Sequence, residues 1–104
     1  MEEGKRILKE MIPGDFIVLL DERGKQLSSV ELSSLISKTS GASFKRMVFI
    51  IGGAFGVDEP VREKADFIWS LSKLVFPHML ARLILSEQLY RACTILKNEK
   101  YHHI

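Results

Sequence analysis

Cysteine, histidine and long apolar segments are scarce in this chain of 104 residues. Cys93 is the only cysteine, which excludes an internal disulfide, and the three histidines lack the spacing of a zinc site. There is no uncharged apolar run of about eighteen residues, and the charged start MEEGKRILKE lacks the apolar region of a signal peptide. We therefore expect a cytoplasmic protein with no metal and no membrane partner.

Charge is balanced overall and uneven along the chain. The net charge is +2. Residues 1–72 carry ten Lys and Arg against eleven Asp and Glu, a net charge of −1, whereas residues 73–104 carry five against two, a net charge of +3. An anionic partner for the C-terminal part is one interpretation of this asymmetry, and an ordinary solvated surface is the simpler one.

The first half of the chain reads as helix, strand, helix. The length and 46% hydrophobic content are typical of one soluble domain. Residues 2–11 can form a helix, and DFIVLLD (15–21) is apolar throughout, as a strand covered on both faces would be. In LSSVELSSLI, Ser28 and Glu31 have capping-box spacing, Leu27 can staple against Leu32, and Leu32, Leu35 and Ile36 form the inward stripe.

The second half continues the alternation. RMVFII (46–51) is a second buried strand, and the handedness of strand-helix-strand units predicts that it is parallel to the first. Asp58 can cap a second helix in which Val61, Ala65 and Ile68 recur at helical spacing. WSLSKLVF (69–76) reads as extended, and Pro77 opens a helix through about Lys97. The predicted order is αβαβαβα.

The last helix is apolar on more than one face. Its apolar residues are Met79, Leu80, Ala81, Leu83, Ile84, Leu85, Leu89, Tyr90, Ala92, Cys93, Ile95 and Leu96. A helix with one side exposed to solvent has a narrower apolar face than this helix has, so a second surface should cover its other side. Self-association is the simplest cover, and a position between layers of a larger fold is the alternative.

The apolar run FIIGGAFG (49–56) ends in Gly52, Gly53 and Gly56. Glycine lets a ligand approach the backbone closely, although strand-ending turns use glycine as well. The spacing differs from the Gly-x-Gly-x-x-Gly dinucleotide fingerprint. The run therefore leaves a ligand site and a simple turn both open.

Three stretches together resemble one family: LDERGKQLSS, FIIGGAFG and SLSKLVFPHMLARLILSEQLYRACTILKNEKYHH. They are similar to the ribosomal large-subunit pseudouridine methyltransferase H family, a small bacterial branch of the SPOUT methyltransferases. The likeness covers nearly all of the chain and is densest from Ser70 to His102. There, the run Ser-x-Ser-Lys-x-x-Phe-Pro-His and the closing Tyr-His stand at the family's spacing.

The resemblance implies an α/β protein with a parallel-sheet SPOUT-type fold and a C-terminal trefoil knot, working as a homodimer. The family transfers a methyl group from S-adenosyl-L-methionine to N3 of a pseudouridine in 23S ribosomal RNA of the assembled ribosome. We expect residues 1–104 to form a single such domain without the family's N-terminal strand and helix. Their loss would expose a sheet edge, so cofactor binding should survive better than catalysis.

The resemblance also implies site residues. Backbone groups of three loops hold the adenosine part of the cofactor in such proteins. By position, the contacts fall on Leu20, Gly52, Leu71, Ser72, Lys73, Leu74, Val75 and Phe76. From the residues alone, the first interpretation of Leu20 and Leu74 is as core side chains, and Lys73 can be a solvated surface charge.

No catalytic residue is assigned, and Arg91, Tyr101 and His102 are the candidates, since they match family positions that face the RNA or the target base. Arg91 can instead pair with Glu87 four residues earlier, and Tyr101 can dock the tail. The family usually ends with Lys or Arg after Tyr-His. Here His103 and Ile104 follow, which removes a fixed charge for a phosphate.

Two other functions are compatible with these patterns. A non-catalytic, dimerising nucleotide-binding module would share the fold and the pocket but transfer no methyl group. A flavodoxin-like or Rossmann-type nucleotide binder is the second, and the glycine spacing and the absence of a strand-ending acidic residue about twenty positions later argue against it.

Overall fold

A computed structural model describes residues 9–51, 59–72, 74 and 76–97. The elements are β1 (Asp15–Gln26), α1 (Ser29–Ser40), β2 (Arg46–Ile51), α2 (Glu59–Lys64), β3 (Phe67–Ser70) and α3 (His78–Leu96). Residues 9 and 10, ahead of β1, are helical. The predicted alternation is confirmed from β1 onward, and most of the predicted first helix lies outside the described residues.

The three strands form one parallel sheet in the order β2-β1-β3. Residues 15–20 of β1 pair with residues 46–51 of β2, and residues 18–20 pair with residues 67–69 of β3. The predicted parallel arrangement of the first two strands is confirmed. Since every strand runs the same way, the carboxyl ends of all three lie at one edge of the sheet.

Helices cover both faces of the sheet, which explains why β1 and β2 are apolar without alternation. On one face, Val18 and Leu20 pack with Leu32 of α1 and with Leu85 and Ala92 of α3. On the other face, the partners are Ile17, Leu19, Ile50 and Val61 of α2. Each large side chain buried in these clusters contributes roughly 2 kcal/mol.

The start of α1 has the capping box that the sequence predicts. The backbone N–H of Glu31 donates to Ser28 Oγ at 3.0 Å, and the backbone N–H of Ser28 donates to Glu31 Oε1 at 2.8 Å. Leu27 and Leu32 belong to the same apolar cluster, as a staple requires. This strand-to-helix junction is therefore determined locally, and it fixes the direction in which α1 leaves the sheet.

The second helix is shorter than the sequence predicts. It ends at Lys64, and Ile68 lies in β3, which begins at Phe67 rather than at the predicted Trp69. Asp66 joins the chain to the sheet, because its backbone N–H donates to the Ile17 carbonyl at 2.8 Å and its carboxylate accepts from the Ile17 N–H at 2.7 Å. Val61, Ala65 and Ile68 thus have the spacing of one helix face although only Val61 lies in the helix, because all three contact the same apolar cluster on one face of the sheet.

The last helix has the two-sided apolar surface that the sequence predicts. Ala81, Leu85 and Ala92 are buried. Met79 and Leu83 are 81% and 66% exposed. Tyr90, two helical turns further along the same side, is also exposed. No helix among the described residues is long and apolar enough to cross a membrane.

Candidate functional site

Leu20 lies on the central strand at the level where the two neighbouring strands end, and β1 itself continues beyond it to Gln26. Leu20 lies opposite Ile51, the last residue of β2, and opposite Trp69 of β3. Ligands of open α/β sheets bind outside the carboxyl ends of the strands. The structure thus places Leu20 where a ligand site of this fold class is expected, with a side chain that is 7% exposed and packed in the core.

The loop after β3 begins in the same apolar cluster. Leu71 packs against the cluster that contains Leu20 and Trp69, so two of the predicted cofactor contacts are brought together. The Ser70 hydroxyl donates to the Ser72 carbonyl at 2.9 Å, and the Ser72 hydroxyl accepts from the Leu74 N–H at 3.1 Å. Ser72 therefore shapes the turn through both its backbone and its side chain.

The other predicted residues of this loop differ in exposure. Leu74 is 69% exposed, which excludes the alternative that it is a core side chain. Phe76 is half-buried. Gly52, Lys73 and Val75 lie outside the described residues. The described part of the loop therefore offers apolar side chains and backbone groups rather than charge.

The end of β1 contains a bulge that the sequence did not indicate. The strand was predicted to end at Asp21 but continues to Gln26, because Leu20 and Lys25 both lie opposite Trp69 and residues 21–24 are accommodated between them. We call residues 21–24 the β1 bulge. A Cβ on Gly24 would be 2.6 Å from the Ile68 carbonyl oxygen, so only glycine fits this approach of bulge to β3.

Asp21, the first residue of the β1 bulge, is at the centre of an ion-pair cluster. Its carboxylate accepts from the backbone N–H, Nε and Nη2 of Arg23 at 2.9, 3.2 and 3.1 Å, and from Nη2 of Arg62 in α2. The Asp21 side chain is 6% exposed. The hydrogen bonds from Arg23, helped by the charge of Arg62, lower the pKa of Asp21 to about 2 although burial acts in the opposite direction.

Sequence reasoning missed this cluster, although a signal for it was present. Asp21 directly follows a fully apolar strand, and a carboxylate buried at such a position needs a cation close to it. The identity of the second cation, Arg62, could not be read from the sequence, because 41 residues separate it from Asp21.

Trp69 is a core residue, as expected, and it carries an unsatisfied polar atom. The side chain is 3% exposed and stacks edge-on against Phe49, with ring centroids 6.3 Å apart. Its Nε1 is buried and finds no hydrogen-bond acceptor among the described residues. The only tryptophan of the chain therefore lies beside Leu20 at the edge where the strands end.

Arg91 forms the ion pair with Glu87 that the sequence offered as an alternative. Its Nε and Nη2 donate to Glu87 Oε1 at 2.9 and 2.6 Å, one turn apart on α3. The Arg91 side chain is 25% exposed, so the pair still reaches the surface. Tyr101 and His102, the other two candidates, lie outside the described residues. Within the described part of the chain, no group of three or more His, Cys, Asp or Glu side chains is arranged to hold a metal.

Comparison with known proteins gives relatives along almost the whole chain. Proteins named "Ribosomal RNA large subunit methyltransferase H" from Christiangramia forsetii and Parabacteroides distasonis are 52% and 49% identical over 98% of this chain and 65% of their own length. One of the same name from Gloeobacter violaceus is 50% identical over 99% of this chain and 66% of its own length. The chain thus spans slightly less than two thirds of these relatives.

The family profile described as "Predicted SPOUT methyltransferase" matches residues 1–102. This match covers all the described elements, from β1 to α3. The parallel sheet and its covering helices are consistent with an α/β protein of this kind. The chain belongs to the SPOUT methyltransferase family.

Proposed function

We propose that this protein is an S-adenosyl-L-methionine-dependent methyltransferase that methylates N3 of a pseudouridine in 23S ribosomal RNA. Membership of the family and the names of the relatives support methyl transfer to ribosomal RNA. One structural observation carries the proposal. Leu20 lies between Ile51 and Trp69, so the three strand ends that would hold the cofactor share one edge.

The described residues at this edge suit an adenine nucleoside. Adenine binds in an apolar slot with a few backbone hydrogen bonds, and Leu20, Leu71 and Phe76 are apolar residues at or after strand ends. Leu74 adds an exposed apolar side chain. In this proposal Ser72 orders the third loop, and Gly52, Lys73 and Val75 complete the contacts.

Positioning supplies most of the expected rate. When bound, S-adenosyl-L-methionine supplies a methyl group on a sulfonium that is already activated for displacement. The apolar residues around Leu20 would exclude water from this site. The loop around Ser72 would orient the reacting groups, and such orientation removes much of the entropic barrier.

The N3 proton of the target base must also leave. We propose that Arg91, Tyr101 and His102 face the RNA or the base, where a cation stabilises a developing anion and a basic group accepts the proton. Glu87 holds the Arg91 guanidinium in a fixed orientation. Such an arrangement lets the guanidinium act without the entropic cost of ordering a long side chain.

A homodimer is part of the proposal. The outward side of α3 presents Met79, Leu83 and Tyr90, and an isolated monomer seldom exposes such a row. Two copies that pack through α3 would cover this surface and could bring the end of one chain to the site of its partner. We also propose the C-terminal trefoil knot that the family resemblance implies.

Transfer of a labelled methyl group from S-adenosyl-L-methionine to ribosomes that lack the modification tests the function. We expect incorporation into large-subunit RNA at a single pseudouridine, and none into ribosomes that already carry the methyl group. The full-length Christiangramia forsetii relative serves as the parallel reference sample. Cofactor binding without transfer would identify a non-catalytic nucleotide-binding module instead, and absence of cofactor binding would contradict the proposal as a whole.

A further inference from the structure

The most buried ion-pair cluster near the candidate site is the one around Asp21. Core side chains cover both faces of β1 up to Leu20, and the next residue is a carboxylate with only 6% of its side chain exposed. Replacing buried ion pairs by apolar residues is often neutral for stability. An ion-pair cluster kept at a strand end therefore points to a role in placing elements relative to each other.

The geometry of the cluster shows which elements it joins. Through Arg62, Asp21 connects the end of β1 to α2, which also packs on the sheet through the fully buried Val61. Through three donors of Arg23, the same carboxylate holds the β1 bulge in its folded shape. Gly24 then brings the bulge against Ile68 of β3. The Asp21 carboxylate thus links the end of β1 to α2 and holds the β1 bulge in the shape that packs against β3.

This cluster is directly beside the proposed cofactor contacts. Asp21 follows Leu20 in the chain, and Leu20 faces Trp69 across the sheet. Both carboxylate oxygens of Asp21 are already occupied by guanidinium and backbone donors. The carboxylate therefore acts on its neighbours rather than on a ligand.

We propose that Asp21, through its ion pair with Arg62 and its hydrogen bonds to Arg23, is a positioning residue that sets the geometry of the strand ends for cofactor binding. This inference rests on the proposed function. It assigns to Asp21 an effect on cofactor affinity that is separate from its effect on folding. No contact between Asp21 and the cofactor is required.

A second ion pair on the same strand provides a matched control. Asp15, at the opposite end of β1, accepts from Arg46 Nε and Nη2 at 2.6 and 2.9 Å, and its side chain is 2% exposed. Asp15 and Leu20 are five residues apart, about 16 Å along an extended strand. The two carboxylates lie on the same strand, are similarly buried, and are each held by arginine and a backbone N–H. Asp15 has one arginine partner where Asp21 has two, and Asp15 is far from the candidate site.

The experiment compares Asp21→Asn with Asp15→Asn in the full chain. The dissociation constant for S-adenosyl-L-methionine is measured by calorimetric titration, and stability is measured by urea unfolding of the same samples. We expect both variants to lose stability, while only Asp21→Asn weakens cofactor binding, by about tenfold. Equal losses of affinity in the two variants, or an unchanged affinity in Asp21→Asn, would overturn the inference.

Variants at Arg62 test whether its ion pair with Asp21 takes part in positioning. Arg62→Ala should weaken binding about as much as Asp21→Asn, and Arg62→Lys, which keeps the charge, should restore part of the affinity. If Arg62→Ala binds normally while Asp21→Asn does not, the ion pair with Arg62 takes no part in positioning and the inference as stated is overturned. Absence of binding by the unaltered chain would instead contradict the proposed function, and the inference with it.

Discussion

Leu20 of β1 lies directly opposite Trp69 of β3, so the only tryptophan in the chain is next to the central strand end of the candidate site. The indole is buried, and its Nε1 has no acceptor among the described residues. Tryptophan emission responds to changes in the polarity and hydrogen bonding around the indole. Trp69 should therefore report events at this edge of the sheet.

We expect S-adenosyl-L-methionine to change the emission of Trp69 saturably, because binding at the strand ends alters the surroundings of the indole. Fluorescence titration measures this, and free tryptophan under the same conditions controls for absorption by the cofactor. The variant Trp69→Phe should show no signal while still binding in a calorimetric titration. Binding that leaves the emission of the unaltered chain unchanged would place the cofactor away from this edge.

The glycine in the β1 bulge should be irreplaceable for a steric reason. In Gly24→Ala, the new Cβ would be 2.6 Å from the Ile68 carbonyl oxygen, and a backbone atom cannot move aside as a flexible side chain can. We expect a loss of roughly 2 kcal/mol or more in the free energy of unfolding, measured in urea.

Gly41→Ala is the matched control for this prediction. The Cβ at Gly41 would meet no atom closer than 3.6 Å, and the backbone there has an ordinary φ of −79°. Alanine at this position should therefore be neutral or stabilising by up to about 1 kcal/mol. Similar stability of Gly24→Ala and Gly41→Ala would show that the bulge does not press on β3.

Acid should weaken the fold through the two paired aspartates of β1. Hydrogen bonds from Arg46 lower the pKa of Asp15 below its ordinary value of 3.8, and the Asp21 cluster lowers the pKa of Asp21 to about 2. Because the folded state holds both carboxylates ionised, their contribution is complete above about pH 4 and is lost as the pH falls toward 2.

For Asp21 we expect about 1 kcal/mol to be lost over this interval. A pKa of about 2 would correspond to roughly 2 kcal/mol, but Arg23 is 67% exposed and water screens its charge. Urea unfolding between pH 7 and pH 2.5 measures the loss, and Asp21→Asn should show a shallower dependence on pH. A variant curve parallel to that of the unaltered chain would contradict this assignment.

Features that depend on neighbouring residues were predictable from the sequence, and features that depend on distant contacts were not. Ser28 and Glu31 form the predicted capping box because both partners lie within one helical turn. The β1 bulge was missed because its shape depends on how closely β3 approaches Gly24. The pairing of Asp21 with Arg62 depends on the position of α2 against the sheet.

The error at the second helix has the same origin. Val61, Ala65 and Ile68 have the spacing of one helix face, and all three do contact one apolar cluster. The chain nevertheless leaves the helix at Lys64, because the hydrogen bonds between Asp66 and Ile17 draw it into the sheet. The spacing of apolar residues therefore predicted correctly that these residues share one buried face, but it did not predict which of them lie in a helix and which in a strand.

The outward side of α3 should mediate dimerisation. Leu83 is 66% exposed on this side, and Glu at that position would place a charge in the proposed interface. We expect Leu83→Glu to raise the dissociation constant of the dimer by at least about tenfold, measured by light scattering across a dilution series. Val30→Glu is the control, since Val30 is a 43% exposed apolar residue on a different helix, α1. A dimer that survives Leu83→Glu, or one that Val30→Glu disrupts equally, would show that α3 is not the interface.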